Sequence, residues 1–258
     1  MQKNLQNNNE IKRSSKIWNS FYQTSQGVDV GNLYPNEPLV RVLSKIKKGI
    51  FLGANDYFQN EGRENDERKE IGKGANALEI GFGHVSNLMM VEDKGFSPTG
   101  LEVSEEAVLR GKARLKNIGR EKIQLSTWDS RPNLDFPDKH FKLIYGLQCI
   151  YYNLDIADVI DEIYRCLDVS GVFCFSFFST RHDYYKYSNV IEERDLYCVR
   201  EWSDDHPSYR IRGARLVAPK SEKHLKDMFH KFSEVRVFTE ETDFSPLFSS
   251  MWYVYGRK

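Results

Sequence analysis

Leu78-Glu79-Ile80-Gly81-Phe82-Gly83 is the stretch on which the fold turns. Ala77 to Ile80 is a short apolar run that reads as a strand, and Gly81 and Gly83 end it. Ser86 to Lys94 then supports a helix, closed by Gly95. Strand, glycine-bared bend and helix in succession let a main chain turn tightly and approach a ligand, because glycine carries no Cβ.

Working outward, Thr99 to Val103 is a second strand ending near Glu102. Ser104 is placed to cap the next helix, and Glu105 and Glu106 favour its positive end; that helix reaches about Asn117. Ile123–Trp128 and Phe141–Gly146 read as strands, Val159–Leu167 as a helix, and the continuous apolar run Val172–Phe178 as a central parallel strand. Residues from about 179 to 219 break this rhythm with many Tyr, Arg, Asp and His. Lys223–Phe232 returns to helix, and Val235–Thr239 and Trp252–Tyr255 are closing strands. The alternation predicts an α/β fold: a Rossmann-like, doubly wound, mostly parallel sheet with an antiparallel C-terminal strand and helices on both faces. Ligands in such a sheet lie beyond the carboxyl ends of the strands.

Upstream of the sheet, residues 1 to about 15 are polar, and an aromatic stretch with Trp18, Phe21, Tyr22 and Tyr34 follows. Leu39–Ile46 has the spacing of a helix face, and the charged segment 55–73 reads as a solvated connection. The chain therefore divides into an N-terminal helical extension over 1–75 and a main domain over 76–258, with a substrate-side insertion at about 179–219. Lys+Arg and Asp+Glu both number 37, so the formal charge is zero. That argues against a nucleic-acid partner, which needs an excess of cations. The four cysteines show no CxxC spacing, and no metal site is expected. The N-terminus has no apolar signal core and no run approaches the ~18 apolar residues of a membrane span, so the expectation is a cytoplasmic protein with no membrane partner. The oligomeric state is open, a homodimer included.

Glu102 follows Gly81 by 21 residues. This matches the ~20 residues after which an acid accepts the ribose hydroxyls of a bound nucleotide. The pattern resembles the class I S-adenosylmethionine-dependent methyltransferases, over most of the chain from residue 76. Glu79-Ile80-Gly81-Phe82-Gly83 looks like their first motif, acidic-x-G-x-G. The resemblance implies S-adenosyl-L-methionine as cofactor and S-adenosyl-L-homocysteine as product. By it, Glu79 lies near the methionine end, Gly81, Phe82 and Gly83 form the cradle, and Glu102 with Val103 holds the ribose side. Trp128 and Asp129 look like the adenine position, with the Asp on the amino group. Leu147 follows the fourth strand, whose tip faces the sulfonium. Tyr22 and Tyr34 belong to a segment that closes the pocket in similar proteins. Leu167-Asp168-Val169-Ser170-Gly171 departs from the usual L-x-P-G-G, and Lys142 stands where an Asp is common.

Methyl transfer needs orientation and a dry cavity more than a reactive side chain. Three residues are candidates for catalysis: His182 as base, Asp183 as its orienting acid, and Tyr151. Tyr152 is a candidate for the acceptor site, its aromatic face suited to a cation or simply to core packing. If 209–215 is extended, Arg210 and Arg212 share one face and could grip an anionic acceptor. The expected function is methyl transfer to O or N of a small metabolite or sugar-type acceptor. Two alternatives stand beside it: an NAD-dependent oxidoreductase, although Ser86 occupies the third glycine of that fingerprint, and a non-catalytic protein that binds the same cofactor.

Overall fold

The computed structural model describes residues 13, 15–23, 35–47, 74–208, 211–244 and 247–258. Tyr34, Arg210 and the charged stretch 55–73 lie outside the described residues. In chain order the elements begin with helices α1 (residues 15–23) and α2 (Glu37–Lys47). The β-α alternation follows: β1 Asn76–Ile80, α3 Ser86–Asp93, β2 Ser97–Glu102, α4 Glu105–Asn117, β3 Gln124–Thr127, β4 Phe141–Gly146, α5 Ile156–Cys166 and β5 Leu167–Phe178. Then come β6 Ser188–Glu193, β7 Tyr197–Trp202, β8 Arg215–Pro219, α6 Glu222–Met228, β9 Ser233–Phe244 and β10 Leu247–Arg257.

Seven strands form one sheet in the order β3-β2-β1-β4-β5-β10-β9. The pairs from β3 through β5 are parallel, and β10 runs antiparallel to both β5 and β9. The order reverses at β1, so its carboxyl end and that of β4 flank the crevice where such a sheet binds ligands. This is the Rossmann-like sheet expected, with one antiparallel C-terminal strand and helices on both faces. Central strands are apolar because both faces are covered: Leu78 and Ile80 of β1 and Phe173, Phe175 and Phe177 of β5 are buried. Helix α4 begins where Ser104 accepts a hydrogen bond from the amide of Ala107 (3.2 Å), and its last turn carries Arg114 and Lys116. Acids at the first turn and bases at the last complement the helix dipole.

Strands β6, β7 and β8 build a separate antiparallel sheet, in that order, outside the main one. Strand β8 packs on the Ile150–Tyr152 turn that follows β4, so the small sheet stands over the crevice. Two expectations fail here. The chain is not extended at Arg212: residues 211–213 form a turn, with Gly213 at φ +73°, and the strand starts only at Arg215. Strand β5 also starts earlier than Val172, because Leu167 already pairs with Phe141 before a register shift in β4.

Candidate active site

The floor of the crevice is the bend after β1. Gly81 (φ +70°) and Gly83 (φ +46°) occupy the left-handed region that side chains disfavour. A Cβ on Gly81 would overlap Cys149, and one on Gly83 would overlap the hydroxyl of Tyr22. The bend is held down by the amide of Gly81 donating to the carbonyl of Leu101 (2.7 Å).

Glu102 ties the bend to β2. Its Oε2 accepts from the amide of Gly83 (2.9 Å), and its Oε1 from those of Val103 (2.8 Å) and Ser104 (3.3 Å). A carboxylate has about four lone-pair sites, so Oε2 keeps one for a further donor. Burial pushes this carboxyl above its ordinary range, and the three amides pull it part of the way back. Glu79 is also buried and is pushed up mainly by desolvation. Asn87 donates to its Oε1 (2.9 Å) and the Tyr145 hydroxyl to its Oε2 (3.2 Å). Asn87 in turn accepts from the amide of Asn36 (2.8 Å), which anchors the start of α2.

Two cavities adjoin above this floor. The smaller, about 80 Å³, is walled by Gly81, Glu102, Val103, Trp128, Cys149 and Asn153. The larger, about 540 Å³, runs from Glu79 and the bend to Tyr151, Phe178, His182 and Ser249. Trp18, Tyr22, Gly81, Gln148 and Tyr152 border both, so α1 stands at the junction. Asn19 fixes that helix by accepting from Ser104 Oγ (2.8 Å) and the amide of Glu106 (3.4 Å). Burial raises the Tyr22 hydroxyl, and Glu102, Cys149 and Glu79 raise it further. The first cavity is far below the ~300 Å³ of a small ligand pocket, since two aromatic side chains of α1 border it. The glycine cradle and the spare lone pair of Glu102 nonetheless fit the main-chain approach and sugar contact of an adenosyl group.

The structure brings Glu79, Gly81, Phe82, Gly83, Leu147, Tyr22, Tyr151, Tyr152 and His182 to the larger cavity, and Glu102, Val103 and Trp128 to the smaller. It does not bring Asp129 there. That carboxylate is exposed and engages Arg131, whose backbone amide (3.1 Å) and Nε (2.6 Å) donate to it; the bond holds it below the usual carboxylate range. Asn153 lines the cavity instead, its Nδ2 donating to the carbonyl of Ser130 (2.6 Å). Arg212 is exposed in its turn and donates from Nε to the carbonyl of His206 (3.0 Å), away from either cavity.

His182 has a different character from the base expected. Its Nδ1 accepts from the amide of Tyr184 (3.1 Å), so in the neutral ring the proton sits on Nε2, which lies 3.4 Å from Ser249 Oγ. Burial lowers its pKa to about 4, so the ring is neutral at pH 7 and presents a donor. Asp183 does not orient it. Its Oδ2 accepts from the amide of Phe248 (2.9 Å) and its Oδ1 pairs with Lys186 (2.6 Å). The Tyr151 hydroxyl is pushed far up by burial, and that of Tyr152 to about 12, so neither is a base near neutrality. The sequence reading passed over Asn87, Cys149 and Asn153. Asn87 sits in the first turn of α3, one turn past the bend, where a polar side chain can reach back to Glu79. No comparable pattern marks Ser249 or Met251, which β10 delivers from far along the chain.

Among the described residues no helix is long and apolar enough to cross a membrane, and no cluster of His, Cys, Asp or Glu is set to hold a metal. Residues 78–175 match the family model of a methyltransferase domain. No curated protein matches the chain. Solved structures similar to it include a SAM-dependent methyltransferase of Methanosarcina mazei, 14% identical, with 72% of this chain and 93% of that one aligned at TM-score 0.54. A S-adenosylmethionine-dependent methyltransferase of Mesorhizobium loti is 17% identical over 81% of this chain and all of its own (100%), at TM-score 0.52. A third, the [4+2]-cyclase SpnF, is 15% identical over 72% of this chain and 75% of its own, at TM-score 0.52. The acidic-x-G-x-G bend, the buried Glu102 and the placing of β10 between β5 and β9 accompany that match: residues 78–175 are similar to a methyltransferase domain, and the sheet has the Rossmann-like fold of these structures.

Proposed function

We propose that the chain transfers a methyl group from S-adenosylmethionine to a small-molecule acceptor. The observation that supports this best is the glycine cradle, locked by Glu102 to its own amides, opening into a cavity of about 540 Å³ beneath the inserted sheet. When bound, the cofactor supplies an electrophilic methyl group, so the chain need only place the acceptor and exclude water. Gly81 and Gly83 give the main chain its closeness, Glu102 takes a sugar hydroxyl, and Val103 with Trp128 walls the base. Glu79, held by Asn87 and Tyr145, faces the amino-acid end. Helix α1 works as a lid: Tyr22 rests on Gly83 and must swing aside before a nucleoside can enter. Gln148, Tyr151 and Tyr152, after β4, border the acceptor.

A second reading has one observation in its favour, the cyclase among the structures of this fold: the cofactor pocket serves a reaction other than methylation. Calorimetry of the full chain with S-adenosylhomocysteine and with NAD⁺ tests the cofactor directly. One-to-one binding of the first and none of the second is expected. The reverse pattern, or no binding of S-adenosylhomocysteine, overturns the proposal. Methyl incorporation from labelled cofactor into a metabolite pool then separates transferase from cyclase.

A further inference from the structure

The larger cavity has a composition that the cofactor does not explain. Eight of its lining residues are Trp, Tyr or Phe; Trp18, Phe21, Tyr22 and Phe82 belong to α1 and the bend, and Tyr151, Tyr152, Phe178 and Tyr184 line the part beyond them. Among the described residues no Lys or Arg lines it, and its only carboxyl group is Glu79. An anionic acceptor would meet no cation among the described lining residues, and a desolvated, unpaired anion is costly. A cationic one would meet ring faces, whose quadrupoles attract positive charge.

The proton inventory points the same way. A hydroxyl acceptor must lose its proton as the methyl arrives, which calls for a base. His182 has its Nδ1 lone pair committed to the amide of Tyr184, and Asp183 is engaged by Phe248 and Lys186. The other imidazole of the cavity among the described residues is His84, kept neutral by burial; it lies beside the glycine bend against Tyr22, next to the cofactor's place rather than among Tyr151, Phe178 and Tyr184. An amine needs none in the step itself, because its lone pair is the nucleophile once the ammonium form has given its proton to water.

We infer that the acceptor is a small amine, methylated on nitrogen, and that the aromatic side chains of the larger cavity hold its charge. The inference rests on the methyl-transfer reading above. In the step, the amine lone pair forms the new N–C bond while the methyl–sulfur bond breaks and its electron pair stays on sulfur. The positive charge passes from sulfur to nitrogen inside one aromatic enclosure, so the net charge of the cavity is unchanged. A tertiary amine ends as a quaternary ammonium; a primary or secondary one releases a proton to solvent afterwards.

The test uses the full chain saturated with S-adenosylhomocysteine, titrated with three probes of nearly equal shape: choline, 3,3-dimethylbutan-1-ol and 3,3-dimethylbutanoate. Choline is expected to bind about tenfold more tightly than the neutral alcohol, the margin an aromatic enclosure gives a cation, and the carboxylate more weakly still. Tyr184→Leu keeps the apolar volume and removes a ring; it should shrink the choline-to-alcohol ratio about threefold while leaving the alcohol's affinity unchanged. Equal binding of choline and alcohol, tighter binding of the carboxylate, or no binding of choline overturns the inference. Failure of S-adenosylhomocysteine to bind at the outset overturns the underlying reading instead, so the two failures are told apart.

Discussion

The two halves of the crevice are built from different materials. On the β1–β2 side the contacts are main chain: two glycines at positive φ, and a buried carboxylate that accepts three amides from the bend and from the residues just after it. On the β4–β8 side the walls are side chains, mostly aromatic, brought from α1, the turn after β4, the end of β5, the segment before β6, and β10. Main-chain contacts leave little room for variation, because any Cβ at the bend meets a neighbour. A wall of side chains can change its chemistry residue by residue without disturbing the sheet beneath. The first half is thus suited to one unvarying ligand and the second to whatever acceptor the chain has come to use.

The largest effect that could break this contrast is expected at the bend. Gly81→Ala forces a side chain into positive φ, at roughly 1–2 kcal/mol, and drives its Cβ into Cys149. S-adenosylhomocysteine affinity should fall about 100-fold by calorimetry, with a lower melting temperature; near-native affinity would show that the bend has slack and that the contrast is overdrawn. Next comes Glu102→Gln. It keeps the size but replaces one acceptor oxygen with a donor facing backbone amides. Losing a charge-assisted bond costs about 1.5–3 kcal/mol, so affinity should drop roughly 10- to 100-fold while choline affinity of the loaded protein changes little. A loss confined to the acceptor probe would reverse the assignment of the two halves.

The same division governs what could be read from the sequence. The bend, Glu102 and the Ser104 cap are local patterns, fixed by spacings within one strand, turn and helix, and they fall where those spacings put them. Helix α5 and strand β5 are correct in kind but shifted: the helix starts at Ile156 and the strand at Leu167, because the apolar run that marks the strand begins only after a bulged start. The three-stranded insertion was not legible. Its pairings join residues as distant as Tyr197 and Pro219, and its strands carry no clean alternation; Glu192 and Glu193 follow the exposed Val190 and Ile191. Asp129 and Arg212 stand outside both cavities for one shared reason. A charged side chain beside a turn finds the nearest partner, Arg131 for the first and the carbonyl of His206 for the second, and no spacing rule weighs such short-range competitors against a ligand.

A smaller effect sharpens the acceptor side. The pKa of His182 in the folded chain, about 4, lies below the ~6.5 of an unfolded histidine. Between those values the unfolded chain takes up a proton that the folded chain refuses. The stability linked to this ring is therefore fully present above pH ~6.5 and is lost as pH falls toward 4. Because the ring borders an open cavity, the loss should be about 1–2 kcal/mol rather than the full linkage value. His182→Gln removes the titration, so urea melts at pH 7 and pH 5 should differ less in the variant than in the parent chain. An unchanged difference would mean that His182 is solvated and free to act as a base, and the case for an amine acceptor would lose one of its supports.

The smallest effect is expected at Asp129, and its smallness is the point. The carboxylate is exposed and committed to Arg131, an arrangement worth about 0–1 kcal/mol. Asp129→Asn should therefore change S-adenosylhomocysteine affinity by no more than about twofold and leave the melting temperature nearly unchanged. Nothing on the wall of the smaller cavity depends on it, since Val103, Trp128 and Asn153 line that cavity without it. A tenfold loss would mean that the Asp129–Arg131 pair opens when the nucleoside enters and that the carboxylate turns inward to meet it. The main-chain half of the crevice would then be completed only by its ligand, in the way that the Tyr22 lid already requires a movement, and it could no longer be regarded as the preformed half.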